Sequence, residues 1–183
     1  MELLLEKGAR LNLDFALLWS VRDGGGKGVP VLLEYGANPN VMNQGGEPVL
    51  LLAASANQLE AVKALLEYKA SPDYGGTRLG MAPLAAAAYF GHLDAVRALV
   101  EGGANINLRD KNGMTAVAHA AAHLKVNVFE YLVNKGATLT GHDNLGRSIA
   151  DMVAVASNSP DKQRILKILA AARRRAPIPV TPE

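Results

Sequence analysis

"GMAPLAAAAYFGHLDAVRALVEGGANIN", residues 80–107, decides how this chain folds. Two apolar stretches are joined by Gly91-His92 and closed by Gly103-Ala104. The first opens at Pro83, and proline suits the first turn of a helix because its missing amide has no intrahelical partner there. The second carries Leu93, Val96, Leu99 and Val100 at the spacing of one helix face. The glycine of Gly-Ala then accepts the left-handed conformation that commonly ends a helix. The stretch reads as two short helices and a turn.

The same phrase recurs as "LLLEKGARLN", "VLLEYGANPN", "ALLEYKASPD" and "YLVNKGATLT". Its glycines are Gly8, Gly36, Gly103 and Gly136, with Lys69 in the third copy, so the spacings are 28, 33, 34 and 33. A second phrase lies between them: "GEPVLLLAA", "GMTAVAHAA" and "GRSIADMVA". First helices are expected near Pro48, Pro83, Ala116 and Ile149, and Ser148 with Asp151 reads as a capping box. "NLRDKNG" and "TGHDNLG" read as polar turns. A fixed period of this length marks a stacked array, in which each unit buries its apolar face against its neighbours.

Composition agrees. Hydrophobic residues make up 49% of the 183 and aromatic residues only 5%. A core of Ala, Leu and Val suits small helices better than a β-sandwich. The 19 basic and 17 acidic residues leave a net charge of +2, too weak a bias to imply nucleic acid or a membrane. The absence of cysteine excludes disulfides, thiolate metal sites and cysteine nucleophiles. No apolar run approaches the ~18 residues of a membrane span. The opening "MELLLEKGARLN" lacks a basic leader and a cleavage site. A cytoplasmic protein is expected.

The period and phrases resemble the ankyrin repeat. The family's Thr-Pro-Leu-His phrase is degraded, to Ala82-Pro83-Leu84-Ala85 and Thr115-Ala116-Val117-Ala118. The resemblance covers residues 1–172 and implies an all-α fold, an α-solenoid of helix-turn-helix units with short hairpin loops. The expected units are a partial repeat 1–13, a degenerate repeat 14–40, repeats 41–73, 74–107 and 108–140, and a capping repeat 141–172. The chain opens inside a repeat, so either further repeats precede it or its first helix serves as a cap. Residues 173–183, basic and proline-rich, are expected to be disordered.

The resemblance also implies function: non-catalytic protein–protein binding through hairpin tips and the exposed, concave side of the first helices. The family's variable positions fall on Asn43 and Gln44 in one unit, and on Arg78, Leu79, Met81, Tyr89 and Phe90 in the next. They continue with Arg109, Lys111, Asn112, Met114, His119 and His123, then Asn144 and Arg147. The apolar members are of the kind that anchor interfaces. Arg78, Arg109, Lys111 and Arg147 make a locally basic face, which points to an acidic protein segment as partner. Alternatively these charges serve only to keep the tips soluble.

Other features are read structurally. "DGGGKG", residues 23–28, fits neither the Walker loop nor the dinucleotide fingerprint, since Val21 and Gly28 fall where the former needs glycine and Ser/Thr. In the repeat register it is a stretched, mobile turn before a shortened second helix starting near Pro30. Trp19 is expected to fill the space left by the abbreviated hairpin. His119 and His123, four apart, lack the further ligands of a zinc site and read as surface histidines. Asp110 and Asp143 read as turn residues, and Arg173 to Arg175 as a solvated helix end. No cofactor or metal is expected, and the protein is expected to be monomeric apart from its partner. Two rival readings stay open: an inhibitor or immunity-type protein that blocks a partner enzyme, and a metal- or nucleotide-dependent enzyme. Nucleic-acid binding would rest on the arginine run and the basic face alone.

Overall fold

The computed structural model describes residues 12–76 and 78–175. Within them the helices come in pairs: α1 (Leu13–Arg22) with α2 (Val29–Glu34), α3 (Val49–Ser55) with α4 (Leu59–Glu67), and α5 (Pro83–Phe90) with α6 (Leu93–Glu101). Then follow α7 (Ala116–Ala122) with α8 (Val126–Asn134), and α9 (Ile149–Ala154) with α10 (Pro160–Arg175). Among the described residues there is no strand; isolated bridges, Met42 to Pro48 and His142 to Ser148, close two hairpin turns. First helices pack on first helices and second helices on second helices along the chain. This is an all-α repeat solenoid.

Small residues make the stacking possible. Ala53, Ala54, Ala87, Ala88, Ala120 and Ala121 on the first helices are fully buried. With only a methyl group each, they let neighbouring helices approach closely. The second helices supply larger groups: Leu65, Leu99, Phe129 and Leu132 are likewise sealed from solvent. Ser148 and Asp151 form the capping box at the start of α9.

The Gly-Ala glycines are left-handed, with φ of 92° at Gly36, 89° at Gly103 and 88° at Gly136. Lys69 is held in the same region at φ 66°. A side chain there crowds its own carbonyl, at a cost of roughly 1–2 kcal/mol. Part of that cost is offset because glycine loses more chain entropy on folding. Lys69→Gly is therefore expected to stabilise the fold by about 0.5–1 kcal/mol, read as a higher urea midpoint. A lower midpoint would sink this account.

Side-chain-to-backbone links join three successive pairs of units. The Ser71 amide donates to Asn40 Oδ1, the Asn105 amide to Asp73 Oδ1, and the Thr138 amide to Asn107 Oδ1, each at 2.8 Å. Within residues 14–40, Asp14 likewise accepts from the Asn38 amide at 2.7 Å. A second set lies at the interhelical turns. Gln58 Nε2 donates to the Val21 carbonyl at 2.7 Å, and His92 Nε2 lies 3.1 Å from the Ser55 carbonyl.

The glycine loop departs from its expected looseness. As the spacing predicts, α2 is short, six residues against nine in α4, α6 and α8. The loop itself is anchored. The Gly26 amide donates to the Ser20 carbonyl at 2.9 Å. Gly26 is buried at φ 79°, and a Cβ there would stand 2.7 Å from Gln58 Oε1 and 2.9 Å from Ala61 Cβ. Glycine is needed for close approach to α4, and its amide is already spent inside the loop.

At the carboxyl end α10 runs to Arg175. Residues 173–175 are thus helical rather than part of a disordered tail. Residues 176–183 of that tail, and residues 1–11 of the partial first repeat, lie outside the described residues.

Candidate functional site

Three hairpin turns are built alike. Asp110 Oδ1 accepts from the amides of Asn112 (2.8 Å) and Met114 (2.9 Å). Asp143 Oδ1 accepts from Leu145 (3.0 Å) and Arg147 (2.8 Å). Asn43 Oδ1 accepts from Gly45 (2.9 Å) and Glu47 (3.0 Å), so Asn43 is a turn residue in the same role. The tips are also tied together. The Lys111 amide donates to the Leu79 carbonyl at 3.0 Å, and Asn144 Nδ2 donates to the Lys111 carbonyl at 2.7 Å. The Asn144 amide reaches the Asn112 carbonyl at 2.9 Å, and the Arg109 guanidinium donates to the His142 carbonyl. Met114 packs, half-buried, against the core.

His119 is not a surface residue. It is 4% exposed, and its Nε2 stands 2.9 Å from Asp110 Oδ2, while its Nδ1 has no hydrogen-bond partner. The hairpin folds Asp110 over α7 and closes the pair off from water. His123, one turn on, stays exposed and rests against the Tyr89 ring at 4.0 Å between centroids. Desolvation, then the neighbouring His119 and Lys125, hold the His123 imidazole below its ordinary pKa, so it favours the neutral form.

Arg147 is likewise committed. Its Nε and Nη2 lie 2.8 and 2.7 Å from Asp143 Oδ2. Desolvation alone would raise the Asp143 pKa; hydrogen bonds from the Arg147 amide and guanidinium and from the Leu145 amide outweigh it and hold it low. Of the four cations expected to make a basic face, Arg147 meets its counter-charge within its own turn.

Along the first helices and tips runs an apolar trough. One part, about 570 Å³, is lined by Phe15, Trp19, Met42 and Gln44 among others. The next, about 520 Å³, is lined by Arg78, Leu79, Met81, Tyr89 and Phe90 among others. Leu52 borders both. Trp19 is 53% exposed and does not fill a void as expected; it forms a wall of the trough. Phe15, 67% exposed, and Met42 belong to the same wall and were not singled out by the sequence. Leu79 and Phe90 are 48% and 49% exposed.

No helix among the described residues is long and apolar enough to cross a membrane. Among them, no group of three or more His, Asp or Glu side chains is placed to hold a metal ion.

Comparison with known proteins places this geometry. A family model described as ankyrin repeats (3 copies) matches residues 17–110 and 84–176. The E3 ubiquitin-protein ligase XBAT32 of Arabidopsis thaliana is 35% identical over 118 residues, covering 64% of this chain and 23% of that protein. The ankyrin repeat and SAM domain-containing protein 6 of Rattus norvegicus is 36% identical over 93 residues, 50% of this chain and 10% of its own length. A putative ankyrin repeat-containing protein of Treponema pallidum is 30% identical over 129 residues, 70% of this chain and 43% of that one. The chain thus spans less than half the length of each of these relatives.

Proposed function

Because the chain belongs to the ankyrin-repeat family, whose repeats are generally protein–protein interaction modules, we propose that it binds a partner protein non-catalytically through the trough of first helices and hairpin tips. The observation that supports this is the set of exposed Phe15, Trp19, Leu79 and Phe90 lining two hollows that share Leu52. Large exposed apolar groups gathered in one place favour an interface. An acidic partner segment suits Arg78, Arg109 and Lys111 at the rim. The reading includes a cytoplasmic, monomeric protein and the division into units 14–40, 41–73, 74–107, 108–140 and 141–172. Ubiquitin ligation belongs to the relatives so named and is no part of it.

The test is affinity capture with the wild type and with a triple variant, Arg78→Glu, Arg109→Glu and Lys111→Glu. The recovered partner should bind the wild type less tightly as salt rises. The variant should lose about tenfold or more in affinity. Equal binding by both proteins would refute the basic rim and the acidic partner segment.

A further inference from the structure

The polar and apolar groups of the trough are not mixed evenly. Around Phe15, Trp19 and Met42 the lining cation is Arg22, and its Nε is taken by Asp23 at 2.9 Å. That end offers apolar surface and no uncompensated charge from its lining side chains. Past Leu52, Arg78 enters the lining beside Leu79 and Phe90. Glu47 is the acid there; its Oε2 accepts from Asn43 Nδ2 at 2.9 Å, which holds the carboxylate in its own turn and leaves its charge in place. Further on Arg109 lies across two tips, its guanidinium bound to a carbonyl oxygen, which leaves its charge unneutralised. Arg78 and Arg109, which form no ion pair among the described residues, therefore lie toward the tips, whereas the cation at the Phe15 end is paired.

Resting on the trough reading above, we infer that the occupant is a linear peptide segment of bipartite chemistry. Large apolar side chains seat over Phe15, Trp19, Leu52 and Leu79, and a cluster of Asp or Glu on one side of them lies over Arg78 and Arg109. Two hollows of about 570 and 520 Å³ in tandem, each within the size range of ligand pockets, suit successive side chains from one segment. Charge complementarity sets its direction, because acids at the opposite end would meet the closed Arg22–Asp23 pair and gain nothing.

The probe is a library of short, Trp-free random peptides displayed on phage and selected on the full chain at low salt. An enriched peptide is then synthesised and titrated, with Trp19, the chain's single tryptophan, as reporter. Enriched peptides should carry apolar residues flanked on one side by acids, and Trp19 emission should move to the blue on binding. Arg78→Glu with Arg109→Glu should weaken binding about tenfold, and replacing the peptide's acids by Lys should restore it. Leu79→Glu should weaken binding similarly, and because these side chains are exposed the substitutions leave the core intact. Peptides lost with Leu79→Glu but indifferent to the arginine reversals would overturn the bipartite assignment and leave the trough reading standing. Peptides indifferent to both variants would overturn the trough reading itself. A selection that enriches nothing would overturn the linear-peptide assignment.

Discussion

Asp110→Ala is expected to cost about 3–5 kcal/mol of folding free energy, read as a fall in the urea midpoint and a Tm lower by about 6–20 °C. The carboxylate accepts two backbone amides through Oδ1 and the His119 ring through Oδ2. Losing the acceptor for each amide costs about 1 kcal/mol. The imidazole fares worse: with Nδ1 already unpartnered, its second ring nitrogen would also be buried without a hydrogen bond, at roughly 1–3 kcal/mol. Asp143→Ala provides the comparison. It removes the same two amide bonds, but the freed Arg147 side chain is 50% exposed and turns to water. Its loss should be about 1–2 kcal/mol. Equal losses at the two positions would show that the His119 contact contributes nothing.

Gly26→Ala is expected to cost about 2–3 kcal/mol. A left-handed φ of 79° penalises any Cβ by roughly 1–2 kcal/mol. The new methyl would also meet Gln58 Oε1 at 2.7 Å and Ala61 Cβ at 2.9 Å. Ala61 cannot move without α4, and moving Gln58 surrenders its 2.7 Å bond to the Val21 carbonyl. Gly25 separates the two contributions: it is also left-handed, at φ 61°, but nothing lies within 4 Å of its would-be Cβ. Gly25→Ala should therefore show the backbone penalty alone, about 1 kcal/mol. If denaturation curves of the two variants coincide, the packing of the loop on α4 is not what requires glycine at position 26.

The architecture was legible because two local signals agree in the four units between residues 14 and 140: apolar residues at helical spacing, and a left-handed residue after the second helix. Gly36, Gly103 and Gly136 all take that conformation, and even Lys69, which breaks the sequence rule, obeys the structural one. What stayed hidden depends on contacts between units or across a turn. Spacing places His119 and His123 on one face of α7, yet one is buried and the other exposed, because Asp110, nine residues earlier, folds back over only the first. Trp19 could be placed on a helix but not on its wet side, since that follows from how α1 seats on α3. The links from Asn40, Asp73 and Asn107 could have been found: they are the last residue of each copy of "GANPN", "KASPD" and "GANIN".

Those links have a direction. In each, the earlier unit supplies a side-chain oxygen and the later unit a backbone amide. A unit is thus tongue on one edge and groove on the other, like a floorboard. Copies can be laid head to tail through this joint, and a unit turned end for end would set two acceptors or two donors against each other. Thr140, last residue of "GATLT", occupies the place of Asn107 and carries a hydroxyl able to accept in the same way. The array therefore has a polarity written into its edge, and any lengthening of it by duplication must keep the same sense.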